Sequence, residues 1–529
     1  NNGPTSRECW YSGWDVNCDT DTQWPQTGET KTYNFELTEQ NLSPDGHERP
    51  MMVINGQYPG PTIEANWGDT ISVTVKNSLQ DNGTSIHWHG FRQYHTNTQD
   101  GTNGITECAL APGASRTYTF VASQFGTSWY HSHYSMQYAN GVVGPIVIHG
   151  PASANYDIEL DPIALTDWFY EDAFPLYTDA SHAQGPPTAN NTLVAGKMVA
   201  PSGGSGGEYY VAKLTPGKKH LVRFVNTGIN NYFHVGLDNH KMQVVGADFV
   251  PIKPYTTDSI VIGVGQRYDV IIDADQSVDN YWLRIGTGNG GQGDASTFCD
   301  GPNANEGNVK AIFRYNGAAD SNPSTDGTLP TGCYDETSTT PIVSTDVPNG
   351  LPKDFEVTFT PADASGNVVQ WLVNNSAINI NWDKPTLQYV EDSQTSYPSS
   401  DNVYEINVAA GDWTYWVLHQ DASNPPLPHP IHLHGHDFWV LAQGDGTFDG
   451  TLNLTNPTRR DTATLPAGGH LVLAFPADNP GAWLMHCHIP FHISGGLGLQ
   501  FLERKDDILS TVGSLSAFDD ECKKWDAYE

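Results

Sequence analysis

The chain is short of positive charge. Only 25 lysines and arginines stand against 60 aspartates and glutamates in 529 residues, a formal charge of −35. That balance repels a phosphate backbone and an anionic membrane surface, so neither nucleic acid nor membrane is expected as a partner. No run of about 18 apolar residues occurs, which leaves no candidate for a membrane-spanning helix. The opening "NNGPTSRECW" has neither a methionine nor a charged-then-apolar leader, as expected of a mature chain whose leader has been removed. Methionines are few, six in all, and charged residues make up only 16%, whereas glycine (52) and proline (35) are frequent and 38% of residues are hydrophobic. This composition excludes a disordered chain and suits a β-rich globular protein with many turns.

Cysteine is sparse and odd in number. Of Cys9, Cys18, Cys108, Cys299, Cys333, Cys487 and Cys522, at least one must stay unpaired or bridge another chain, and Cys487 is the natural odd one out. Sequons occur at Asn41, Asn82, Asn190, Asn374 and Asn453. Each alone is a weak signal, but beside six pairable cysteines they argue for a secreted, extracellular glycoprotein.

Short alternating segments bounded by turn residues recur from end to end: 70–77, 115–122, 144–150, 259–265, 268–274 and 470–477. That is the signature of an all-β sandwich or barrel protein. Helical periodicity is scarce, its clearest candidate being 506–525. The length suggests roughly three domains, and composition shifts near 155 and in the Ser/Thr/Pro/Asp-rich run "DETSTTPIVSTDVPNG" divide the chain into 1–155, 156–345 and 346–529. "PGASRTYTF" with "SWYHSHY" is faintly echoed by "PAGGHLVLAF" with "AWLMHCH", so the first and third units are expected to be related in shape.

The chemistry concentrates in "HWHG" (87–90), "HSH" (131–133), "HPIHLHGH" (429–436) and "HCHIPFH" (486–492). Each contains His-x-His. On an extended strand residues i and i+2 share a face, so each pair aims two imidazoles into one region. A lone His-x-His is more often a packed or hydrogen-bonded pair than a ligand set. Four of them, all in strand-like sequence at the two ends of the chain, point to a metal, and imidazole clusters suit copper, zinc or iron.

In "HCH" an extended backbone sends His486 and His488 to one face and Cys487 to the other, so one tripeptide serves two metal centres. His492 in the following turn and His429, the histidine left outside its own pair, can join Cys487 in a His₂Cys trigonal set, the blue-copper electron-transfer arrangement. Ten residues after the cysteine stands Leu497, where methionine would be the usual weak axial ligand. Leucine cannot coordinate, so a comparatively high potential is expected. The remaining eight histidines, His87, His89, His131, His133, His432, His434, His486 and His488, are too many for one copper and suit three, shared as three, three and two.

In these motifs and their order the sequence resembles the multicopper oxidases, and most closely the secreted laccases of ascomycete fungi, over nearly its whole length. The resemblance implies three cupredoxin-like Greek-key domains and four copper ions. By motif position, His429, Cys487 and His492 would hold type 1 copper; His87 and His432 type 2; His89, His131 and His488 one type 3 copper; and His133, His434 and His486 the other. It further implies one-electron oxidation of small aromatic donors coupled to reduction of O2 to water, lignin degradation as a setting, and a monomer. Asp100 sits where the family has a carboxylate near the cluster, a proton relay, with a turn-capping aspartate as the structural alternative. Asp461 would support a ligand loop by hydrogen bonds. The ascomycete branch implies disulfides Cys9–Cys18, Cys108–Cys522 and Cys299–Cys333.

The sequence also departs from the family. Asn230 in "VNTGINNYF" occupies a pocket position where Asp or Glu usually accepts a phenol proton, and Phe491 stands where tryptophan is common. With Trp371 and Leu427 these are expected to line the pocket mouth. The chain ends "KKWDAYE" rather than in the family's Asp-Ser-Gly-Leu-type plug. A bilirubin-oxidase-like enzyme or a metal oxidase is the alternative; the six unclustered methionines weigh against the second, and Asn230 keeps it open. A copper store or electron carrier would not need all eight cluster histidines.

Overall fold

Alternating side-chain character lays most of the chain out as strands. In Thr70–Asn77 every second residue is buried, as a sheet with one wetted face requires. The computed structural model describes residues 1–183, 185–287, 299, 301–420 and 423–529. Three β-sandwich units follow one another, each formed by two sheets that face across their own core. The first pairs a four-stranded sheet carrying Thr30–Leu42 and Thr70–Asn77 with a four-stranded sheet carrying Ile86–Trp88, Gly126–Ser132 and Val143–His149. The second has sheets of seven and five strands, and the third of six and five. Parallel pairing of Thr30–Leu42 with Thr70–Asn77, beside antiparallel neighbours, gives the crossed connection of a Greek key.

The echo between the first and third units is structural. Ile86–Trp88 lies against Gly126–Ser132 with His87 opposite His131. His429–Leu433 lies against Gly481–Cys487 with His432 opposite His486. Each unit thus presents two His-x-His segments side by side from neighbouring antiparallel strands.

Helix content is larger than the sequence pattern suggests. The 506–525 stretch is two helices, Lys505–Val512 and Ser516–Tyr528, because Gly513 turns the chain with φ +73°. Ala173–His182 is also helical, with Asp172 capping it by accepting from Phe174 N. The expected strand at 259–265 is trimmed to Ile260–Ile262 by a turn through Gly265, φ +89°.

Cys108–Cys522 and Cys299–Cys333 are bonded. The first joins the C-terminal helix to the first unit, where Trp525 packs beside Tyr134. The expected Cys9–Cys18 bridge is not formed: both are free thiols. Cys9 faces Asp15 in a two-stranded ribbon, and the Cys18 sulfur instead accepts from Asp15 N at 3.5 Å.

Candidate metal centre

The strand Gly481–Cys487 is buried along its whole length, and its pleat separates two sets of ligands. Cys487 Sγ lies 3.6 Å from His429 Nδ1 and 3.5 Å from His492 Nδ1, and those nitrogens are 3.1 Å apart. His492 comes from the one-turn helix Pro490–Ser494, started by a proline at its first position. Burial pushes His492 down to about 3, so the imidazole is neutral and able to ligate. The Trp371 ring packs on both imidazoles, at centroid distances of 4.5 and 4.9 Å. Leu497 is buried, its N donating to His492 O and its O accepting from Cys487 N. The trio is therefore flanked by hydrocarbon.

The other eight histidines converge on the far side of the strand. Three groups have ligand atoms within 4.8 Å of one another: His87, His89 and His432; His89, His131 and His488; His133, His434 and His486. His434 Nε2 is 3.3 Å from His486 Nε2, and His488 Nε2 is 3.1 Å from His89 Nδ1. Outer nitrogens are held by the chain. Nδ1 of His87, His432 and His486 meets the carbonyls of Asp100, Asp461 and Cys487, each at 2.8 Å. His131 Nδ1 meets Ser132 O at 3.0 Å. These contacts turn Nε2 inward, and there Nε2 of His87, His131 and His432 is buried without a hydrogen-bond partner. Orphaned buried nitrogens are costly, and a set of imidazoles with Nε2 turned inward fits metal ions. Burial, reinforced by neighbouring rings, holds His89, His131, His432, His434 and His488 well below the usual imidazole range.

Asp100 is buried and does more than cap a turn. Its Oδ2 lies 2.9 Å from His434 Nδ1 and accepts from Thr102 Oγ1 at 2.7 Å. Asp461 Oδ1 lies 3.2 Å from His89 Nε2. Burial pushes Asp461 up to about 7, against the pull of Arg267. The glycine of "HWHG" has a reason of its own. Gly90 has φ +76°, and a Cβ there would sit 2.5 Å from both Arg267 Nη2 and Asp461 Oδ2.

A cavity of about 310 Å³ opens beside His492 and is lined by Asn230, Trp371, Leu427 and Phe491 together with Tyr177, Phe359, Pro187 and Pro425. The four residues singled out in the sequence thus meet in one place. Among the described residues that line it, none carries a carboxylate. The Asn230 loop is pinned by Asp167, whose Oδ2 accepts from the backbone N of Ile229, Asn230 and Asn231 at 3.0, 2.9 and 3.0 Å. Asn230 Nδ2 points to Pro187 O at 3.4 Å. A second cavity, about 250 Å³, reaches His131, His133, His486 and His488 from the other side, and Tyr177 borders both cavities. Tyr177, Pro187 and Asp167 carry no sequence motif; they come from the second unit and its helix and reach the site only through the fold.

Three family models described as multicopper oxidase match residues 36–153, 159–318 and 359–507. The chain is 46% identical to a laccase of Neurospora crassa, with all of this chain and 87% of that protein aligned. It is 52% identical to laccase-3 of Botryotinia fuckeliana over 84% of this chain and all of that protein. Among solved structures, the laccase from Botrytis aclada superposes with a TM-score of 0.92 at 38% identity, covering 100% of this chain and 97% of that one. Fet3p, described as a multicopper oxidase that functions in iron import, superposes with a TM-score of 0.80 at 25% identity over 94% and 95% of the two chains.

Proposed function

The chain belongs to the multicopper oxidase family, a laccase-type oxidoreductase of three cupredoxin-like domains, and on that premise we propose which residues carry the reaction. His429, Cys487 and His492 hold one copper. His87 and His432 hold a second, His89, His131 and His488 a third, and His133, His434 and His486 a fourth, with domains divided near 155 and 345. When bound, these ions supply one-electron oxidation of a donor at the His₂Cys set and four-electron reduction of O2 to water at the eight-histidine set. The observation that carries the assignment is that His486, Cys487 and His488, consecutive in one chain, divide between the two sets.

The chain's own residues set the rest. Trp371, Leu427 and Phe491 offer an apolar wall to an aromatic donor, and His492 is the ring of the His₂Cys set that borders the cavity. Cys487 and the peptide to either side form a covalent path from that set to His486 and His488. Leu497 has no ligating atom, so a copper ion held by His429, Cys487 and His492 would gain no further donor from it, which would favour the reduced ion and raise the potential. Leu497→Met is therefore expected to lower the midpoint of the blue site by on the order of tens of millivolts; an unchanged potential in a redox titration counts against it.

Asn230 shapes the donor class. An amide cannot accept a phenol's proton, so we infer that donors which lose no proton on oxidation are turned over faster than simple phenols. Ferrous iron is a poor donor, because no carboxylate among the described lining residues faces the pocket to bind it. We propose further a secreted, glycosylated enzyme, in keeping with the sequons, that acts as a monomer on phenolic or lignin-derived aromatics. The test is oxygen uptake by the copper-loaded protein with a phenol, a non-phenolic one-electron donor, ferrous iron and bilirubin side by side. Asn230→Asp is expected to raise kcat/KM for phenols at least about tenfold, because it restores a base. The gain should vanish below a pH of about 4, where the new carboxyl is protonated. Unchanged phenol turnover in that variant sinks the role given to Asn230.

A further inference from the structure

Arg267 stands in the second domain, which contributes none of the His-x-His pairs, at the start of Arg267–Asp273. It is fully buried. Its Nη1 donates to Asp461 Oδ1 at 2.7 Å, its Nε to Thr127 O at 3.0 Å, and its backbone N to Asp248 Oδ1 at 3.0 Å. One guanidinium thereby ties the first and third domains together beside the histidine cluster. Asp461 is fixed from its other end as well, since its N donates to Asp248 Oδ2 and its carbonyl accepts from His432 Nδ1.

Asp461 Oδ1, the oxygen that Arg267 grips, also faces His89 Nε2 at 3.2 Å. His89 differs from five other rings of the cluster. His87, His131, His432, His434 and His486 all use Nδ1 for their outer hydrogen bond, whereas His89 uses Nε2 and turns Nδ1 toward His488. A neutral imidazole has one N–H, so the acceptor at Nε2 decides which nitrogen keeps its lone pair for a metal. Gly265, two residues before Arg267, has no room for a side chain either: a Cβ there would meet His488 Cδ2 at 3.0 Å and His89 Cε1 at 3.1 Å. The turn that carries Arg267 therefore abuts two cluster rings.

We propose that Arg267 is a positioning residue for the cluster, holding Asp461 so that its Oδ1 accepts the His89 Nε2–H and Nδ1 is left facing inward. The proposal rests on the copper assignment above. It is tested with Arg267→Gln and with the double variant Arg267→Gln/Asp461→Asn, which leaves no buried carboxylate unpaired. The readouts are copper retained per chain against a competing chelator, the electron paramagnetic resonance of cluster copper, the blue absorption of the His₂Cys site, and the thermal midpoint. Cluster copper affinity is expected to fall about 10–100-fold while the blue absorption stays. The double variant should lose no more than the single one, because both act through one contact. Either variant keeping its cluster copper with an unchanged resonance overturns the proposal, as does a loss of blue absorption in step with cluster copper, which marks a merely structural role. If the unsubstituted protein binds no copper, the copper assignment fails instead, and that result is distinguishable from the others.

Discussion

Cys487→Ser is expected to lower turnover of every donor at least about a thousandfold, equivalent to about 4 kcal/mol of barrier, and to remove the blue absorption while cluster copper remains. The sulfur sits 3.6 and 3.5 Å from the two imidazole nitrogens that complete its set. A serine hydroxyl is shorter and far less polarisable, so the soft ligand that suits copper is lost. The backbone is undisturbed. Cys487 N still donates to Leu497 O, and Cys487 O still accepts from His486 Nδ1, so His486 and His488 keep their aim into the cluster. Absorption spectra, copper analysis and oxygen uptake on one preparation check each part. Donor turnover that survives the loss of the blue absorption sinks the assignment of Cys487 as the route for electrons. Loss of all copper would show that the two sets do not stand independently.

That separation was legible in the sequence because a strand's period of two is a local property. His486, Cys487 and His488 could be sorted onto two faces with no knowledge of the fold, and the same rule located Thr70–Asn77 and Gly469–Pro476 within a residue. The rule failed where local pattern and geometry part company. The run 259–265 is apolar enough for a strand throughout, yet the chain turns at Gly265 where it abuts the His89 and His488 rings, and nothing nearby in sequence announces that contact. Ala173–His182 escaped notice because only Ala173 and Leu176 of its residues are buried, too few to leave a helical stripe.

The limit of sequence is sharper for residues that act through another. Asp100 and Asp461 could be nominated by resemblance, but their partners lie hundreds of positions away: His434 for the first and His89 for the second. Arg267 could not be nominated at all, since an arginine opening an ordinary strand carries no motif. Its meaning comes from the packing of three domains on one carboxylate. The Cys9–Cys18 pairing shows the converse, a link suggested by resemblance that the local ribbon geometry does not make.

Asp100→Asn is expected to slow oxygen turnover about 10²–10⁴-fold, the range a placed proton-transfer group contributes, without slowing reduction of the blue site by donor. Reducing O2 to water consumes protons as well as electrons, and the eight inward imidazoles are poor sources. Burial holds most of them neutral, and the outer nitrogens of His87, His131, His432, His434 and His486 are engaged with a carbonyl or carboxylate. Asp100 is the carboxylate in contact with His434 at 2.9 Å, with Thr102 Oγ1 at 2.7 Å on the same oxygen and Oδ1 3.4 Å from His87 Nδ1. It can take up and release a proton where asparagine cannot, yet asparagine keeps its size and can still accept from Thr102. The decisive comparison is therefore kinetic. Anaerobic bleaching of the blue absorption by donor should proceed at the unsubstituted rate, whereas reoxidation by O2 should lag and its solvent isotope effect should rise. Equal reoxidation rates in the two proteins remove Asp100 from proton delivery, and a loss of cluster copper in the variant reassigns it to holding His87 and His434 in place.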